Sequence, residues 1–211
     1  MSDDSTPDGV QGHTRPDVAE PPSDYALTLP EGWFRVPLDP EELEASVDAL
    51  VERQFKGVDD APHLKRQIRR DLLKRARKSY RNGGIEFYLS LEMAGPVPVP
   101  ASLVVTFVPP GQDALTAREL AVSLAASGPL GQEVSILEQP TGDIVRTRVR
   151  TEPEPDDPQG NELPVTSADY YVPIPRSPAL LLLSFSTPLD PIADAMVELF
   201  DAVAGSLTWR E

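Results

Sequence analysis

Between residues 85 and 187 one strand pattern follows another, and that run limits the fold more than any other feature of the sequence. ALLLLSFST (179–187) contains an unbroken apolar stretch from Leu180 to Leu183, the pattern of a central strand buried on both faces. Before it come IEFYLSLEM (85–93), a Pro-spaced GPVPVP connection, SLVVTFVP (102–109), EVSILEQ (133–139), DIVRTRVRT (143–151) and VTSADYYVPIP (165–175). Pro140-Thr141-Gly142 joins EVSILEQ to DIVRTRVRT as a hairpin. In its second arm Ile144, Arg146, Arg148 and Arg150 share one face, and Val145, Thr147 and Val149 share the other. Only one helix interrupts the run, over about 115–126, where Thr116 and Glu119 offer a capping box and Leu120 and Leu124 an apolar edge.

Helical periods flank the strands. DPEELEASVDALVERQF has Asp39 as N-cap, Pro40 at the first helical position and Glu42 to close a capping box, with Leu43, Val47, Leu50, Val51 and Phe55 on one stripe. LKRQIRRDLLKRARKSYR (64–81) follows and stops at Asn82-Gly83-Gly84. After the strands, Asp190-Pro191 opens a last helix carrying Ile192, Met196, Leu199, Phe200 and Val203, closed by Gly205. Helices placed before and after a series of strands with short turns give an α+β domain, an antiparallel β-sheet flanked by helices, and not a regularly alternating parallel sheet.

The domain is expected to span 25–211. Residues 1–24 hold six acids against Arg15 and lack large aliphatic clusters, so they read as a disordered acidic N-terminal tail. YALTLPEGWFRVPL then reads as two short strands around Pro30-Glu31-Gly32. TEPEPDDPQGNELP (151–164), with five acids, four prolines and no basic residue, reads as an acidic Pro-rich loop.

Tyr25-x-Leu-x-Leu-Pro-x-Gly-Trp33, the antiparallel strands, and LLLLSFSTPLDPIADAMVELFDAVAGSLTW (180–209) resemble the Mog1/PsbP-like α/β/α sandwich superfamily. That resemblance implies a sheet between helical layers, used as a binding or assembly module, secretion-associated proteins among its members. It implies no shared catalytic set, and the basic helix looks like an elaboration on it.

Composition excludes several chemistries. With no cysteine there is no disulfide, thiolate metal site, iron–sulfur cluster or cysteine nucleophile. The only histidines are His13, in the tail, and His63, at a helix start, positions that speak against a Ser-His-Asp site, and no G-x-x-x-x-G-K phosphate loop occurs. Asp59-Asp60 near His63 is explained by helix capping. The reading is therefore no enzyme, no cofactor and no metal site. The absence of an 18-residue apolar stretch or signal-like start reads as a cytoplasmic protein with no membrane span. Arg outnumbers Lys 15 to 4, a high-GC coding bias expected of a bacterial protein.

What stands out is charge. Residues 64–81 carry nine basic side chains and one acid in a chain of net charge -15, so removing this +8 leaves -23 on the rest. At 100° per residue, Leu64, Ile68, Leu72, Leu73, Ala76 and Tyr80 form the docking stripe, and Arg66, Arg70, Lys74, Arg77, Lys78 and Arg81 crowd an arc of about 120° opposite. Stacked like charges four residues apart cost about 0.2–0.5 kcal/mol per pair, so the arc needs compensation. The acidic tail and the acidic loop are candidate counter-charges within the chain. Arg66, Arg70, Lys74, Arg77 and Arg81 are the candidate partner-binding residues, with an acidic protein as the expected partner. Nucleic acid is disfavoured by the acidic balance and by Tyr80 being the only aromatic in the segment. A small-ligand carrier or enzyme using a pocket between sheet and helices is the alternative from another class.

Overall fold

The computed structural model describes residues 20–56, 62–111, 115–153 and 162–211. Most of the proposed tail, the Asp59-Asp60 pair, His13 and the centre of the acidic loop lie outside them.

Seven strands form one antiparallel sheet. In chain order they are β2 (Trp33–Pro37), β3 (Gly84–Ser90), β6 (Ser102–Val108), β7 (Glu133–Leu137), β8 (Ile144–Thr151), β9 (Val165–Pro173) and β10 (Leu180–Thr187). Their spatial order is β2-β3-β6-β10-β9-β8-β7, so the Leu-rich β10 is the middle strand, as its apolar run predicts. Two small ribbons accompany the sheet. Met93–Ala94 (β4), Met93 having been expected in the strand over 85–93, pairs with Val97–Pro98 (β5) inside the expected GPVPVP connection, and β1 (Asp24–Ala26) pairs with β11 (Thr208–Arg210), joining the two ends of the domain.

Register separates the sheet into two faces. Leu181, Leu183 and Phe185 of β10 point the same way as Leu103 and Val105 of β6 and as Ala168, Tyr170 and Val172 of β9. The helix α4 (Ala193–Gly205) closes this face with Met196, Val197, Phe200 and Val203, making the main core. Asp190 does not cap α4, because Asp190–Ile192 forms a separate 3-10 turn and the Asp190 carboxylate is engaged by Arg150. Arg146 and Arg148 likewise meet Asp201 and Asp194 of α4, which lets one basic face of β8 lie beneath a helix.

The opposite face is covered at its two ends. At one end α1 (Pro40–Gln54) lies over β2 and α2 (Pro62–Arg81) over β3, enclosing Val36, Leu38, Leu43, Val47, Leu50, Val51, Leu73 and Ala76 in a second core. At the other, α3 (Ala117–Ser127) packs on β7 and β8, where Val145 and Thr147 are buried on the side away from α4. Between them Leu182, Ser184, Asp169 and Tyr171 are only half-buried. The Leu180–Leu183 run is thus fully buried on one face only, since among the described residues no helix spans the middle of the other.

The caps follow the sequence in part. Thr116 and Glu119 make the expected capping box at α3. Asp39 caps α1 through the Glu41 amide at 2.8 Å, one residue earlier than a box with Glu42 requires. Gly83 leaves α2 at φ 86°, where a Cβ would stand 3.0 Å from the Phe107 carbonyl oxygen, so both backbone hand and space call for glycine.

Candidate docking surface

The position of α2 is decided by a narrower stripe than its hydrophobic pattern suggests. Leu73 and Ala76 are buried, and Ile68 and Leu72 pack partly against the α1 core. Leu64 and Tyr80, at the two ends of the expected stripe, are about half exposed at 50% and 46%. Rotation toward α1 has an electrostatic reason. Lys65 bonds Glu52, Arg69 bonds Asp48 with a second contact at 3.1 Å, and Arg77 bonds Glu44 at 2.6 Å. Glu44, Asp48 and Glu52 are four apart on α1, so one acidic row meets one basic row along the helix pair. The Asp48 carboxyl is held below its ordinary value, chiefly by the hydrogen bond from Arg69. Each exposed pair of this kind is worth roughly 0–1 kcal/mol, enough to choose helix rotation though not to hold the fold.

The ladder supplies part of the counter-charge that the sequence reading looked for in the tail and acidic loop. It also sorts the five candidate residues. Arg77 is committed to Glu44, and Arg66 Nη2 lies 2.9 Å from His63 Nδ1. Lys74 is exposed on the same side and is not free of contacts. Arg70 and Arg81 are exposed and, among the described residues, have no ion-pair partner. All five fall within about 80° of arc on an ideal helix, on the flank facing away from the sheet. His63, Arg66, Gln67, Arg69 and Arg70 line a shallow hollow at the start of the helix.

The other flank of α2 faces the half-open sheet. Ile68, Leu72, Arg75 and Asp71 stand over Phe87, Leu89, Ser102 and Val104, leaving a groove of about 380 Å³. Ser102 and Ser186 share a 2.8 Å hydroxyl contact on its floor. Further across the sheet, burial raises the Asp169 carboxyl above its ordinary value, against a hydrogen bond from Ser184 that lowers it. Arg75 was counted in the sequence only as part of the basic run. Its groove position depends on which strand lies under α2, a fact no local signal carries. Among the described residues no group of three or more His, Asp or Glu side chains is placed to hold a metal ion, and no helix is long and apolar enough to cross a membrane.

A comparison with protein families finds no match, and neither does one with curated protein sequences. Among solved structures the chain is similar to LpqN of Mycobacterium tuberculosis, described as involved in cell envelope biogenesis, at 13% identity and a TM-score of 0.47 over 91% of this chain and 87% of that one. It is also similar to the cyanobacterial PsbP (CyanoP) of Synechocystis sp. PCC 6803, at 15% identity and a TM-score of 0.41 over 88% and 86%. Likeness at this level assigns no residue a role.

Proposed function

We propose that the protein is a non-enzymatic binding or accessory module that docks an acidic partner protein through the outward face of α2. One observation carries the reading. A helix already fastened to α1 by three ion pairs presents Arg66, Arg70, Lys74 and Arg81 to solvent on one side, with Arg77 at the border where its charge is shared with Glu44. Fastening the scaffold and leaving the arc outside is the arrangement that electrostatic steering of a negatively charged partner needs. Rim charges of this type set encounter rate and specificity, and the affinity they add is sensitive to salt.

The test is affinity capture from native cell extract, with and without nuclease, comparing the intact chain with an Arg66→Glu, Arg70→Glu, Arg81→Glu variant that leaves the α1 ladder untouched. An acidic protein is expected to be held by the intact chain and to lose at least tenfold in recovery with the variant. Equal recovery would return α2 to a solvated helix face. A small-ligand carrier remains the second reading, and the groove beside Arg75 is the observation in its favour. Nucleic acid is the third, and its mark would be recovery abolished by nuclease.

A further inference from the structure

We infer that residues 1–19 dock on the outward basic face of α2 in the free protein, so that this segment and an acidic partner compete for one surface. The competition rests on the docking reading above, whereas the contact within the chain stands without it. The segment lies outside the described residues, and three observations select it as the occupant.

The first is charge left without compensation. Lys65, Arg69 and Arg77 are paired with the α1 ladder. Exposed Arg70, Lys78 and Arg81 have no ion-pair partner among the described residues. Arg66, Arg70, Lys74 and Lys78 follow one another at four-residue spacing, a row that repels itself until anions approach it.

The second is where the chain enters the domain. Pro21 and Pro22 border a hollow at the end of the sheet together with Ile85 and Phe107. The Phe107 amide donates to the Gly83 carbonyl oxygen at 3.1 Å, and Gly83 lies just beyond Arg81, the last residue of α2. Entry is therefore at the end of the sheet where α2 stops. It is fixed there, because Arg176 Nε donates to the Glu20 carbonyl oxygen at 2.6 Å and the Ser23 amide donates to the Arg210 carbonyl oxygen at 3.0 Å. Residues 1–19 precede this anchor and, at roughly 3.3–3.6 Å per residue, reach at most about 60–70 Å. The 20 residues of α2 extend only about 30 Å. The segment can round the end of the sheet and cover the helix from Arg81 back toward Arg66.

The third is chemistry. Asp3, Asp4, Asp8 and Asp17 stand against Arg15 alone, with no lysine among them. Each exposed charge pair contributes little by itself. A short tether, however, holds its end at an effective concentration of about a millimolar, so a contact too weak for a free peptide becomes populated. A partner from solution must displace it, which favours partners of higher negative charge.

The chain has no cysteine, so Ser5→Cys carries a single nitroxide. In NMR spectra of the full chain, the amides of Arg70, Lys74 and Lys78 are expected to lose at least half their intensity to the label, while those of α3 keep theirs. In an Asp3→Asn, Asp4→Asn, Asp8→Asn, Asp17→Asn background the α2 intensities are expected to recover at least twofold, since the tether remains and only the charge is gone. Equal broadening of α2 and α3, or broadening of α2 that the four asparagines do not relieve, would overturn the contact. Capture from native cell extract tests the competition. The chain with four asparagines is expected to recover at least threefold more acidic protein than the intact chain. Equal recovery would overturn the competition and leave the contact to the nitroxide result. No acidic protein on either chain would overturn the docking reading, and the competition with it, while α2 broadening relieved by the asparagines would still support the contact.

Discussion

Phe185→Ala is expected to cost about 3–5 kcal/mol of folding stability, because its ring stands at the centre of the main core and the surrounding backbone is held by strands on both sides. Phe185 is 1% exposed on the middle strand. It stacks on Phe200 of α4 at 4.7 Å between centroids, meets Tyr170 of β9 edge-on at 5.5 Å, and meets Trp33 of β2 at 6.4 Å. Removing it therefore loosens the sheet, α4 and the first long strand together. Aromatic pairs contribute about 0.5–1.5 kcal/mol beyond their buried area, which places the cost in the upper part of the range. For a domain of this size the loss corresponds to a fall in Tm of about 6–20 °C by calorimetry. Val122→Ala, at an exposed position on α3, serves as the reference and is expected to stay within about 0.5 kcal/mol. A Phe185→Ala cost below 1 kcal/mol would contradict the placement of the core.

The second large effect centres on Glu86. Its Oε2 accepts hydrogen bonds from the hydroxyls of Tyr25 and Tyr88, both at 2.6 Å, while Oε1 pairs with Arg35. Glu86→Ala leaves two largely buried hydroxyls and one guanidinium without their acceptor, at about 1–3 kcal/mol for each buried group left unsatisfied. A total loss of about 2–4 kcal/mol in urea unfolding is expected after partial relaxation. The same network sets an alkaline limit. Burial, and then the hydrogen bond to Glu86, push the Tyr25 and Tyr88 hydroxyls well above their ordinary 10.0, and burial with Asp201 does the same to Tyr170. A raised pKa means that the folded state holds the proton more tightly than the unfolded chain. Its contribution is whole below the unfolded value of about 10 and is lost as pH rises beyond it. Absorbance titration should therefore show Tyr25, Tyr88 and Tyr170 silent at pH 10–11, with stability falling over the same interval. Ionisation of all five near pH 10 in the folded protein would contradict the burial of these hydroxyls.

Much of this fold is legible locally. The strand runs, the Thr116–Glu119 box, the Asp39 cap and the middle position of the Leu180–Leu183 strand all follow from period, turn residues and apolar length, since each depends on neighbours within a few residues. The pairing of β1 with β11 does not, because Tyr25 and Trp209 are brought together only once the whole sheet exists. The α2 stripe fails at Leu64 and Tyr80 for a related reason. A helical wheel shows which residues share a side, and packing against α1 decides how much of that side is covered. The acidic row Glu44, Asp48 and Glu52 is visible in the sequence at four-residue spacing. Its role as the partner of Lys65, Arg69 and Arg77 became readable once the two helices lay side by side.

The docking reading stands or falls on the outward face of α2. The most direct measurement places a photo-crosslinking side chain at Gln67, an exposed position between Arg66 and Arg70, and in a second protein at Val122 on exposed α3. After irradiation in nuclease-treated native cell extract, the account predicts a discrete adduct with an acidic protein from Gln67, absent from Val122 and abolished by Arg70→Glu with Arg81→Glu. No adduct at Gln67, or the same adduct at both positions, would contradict it.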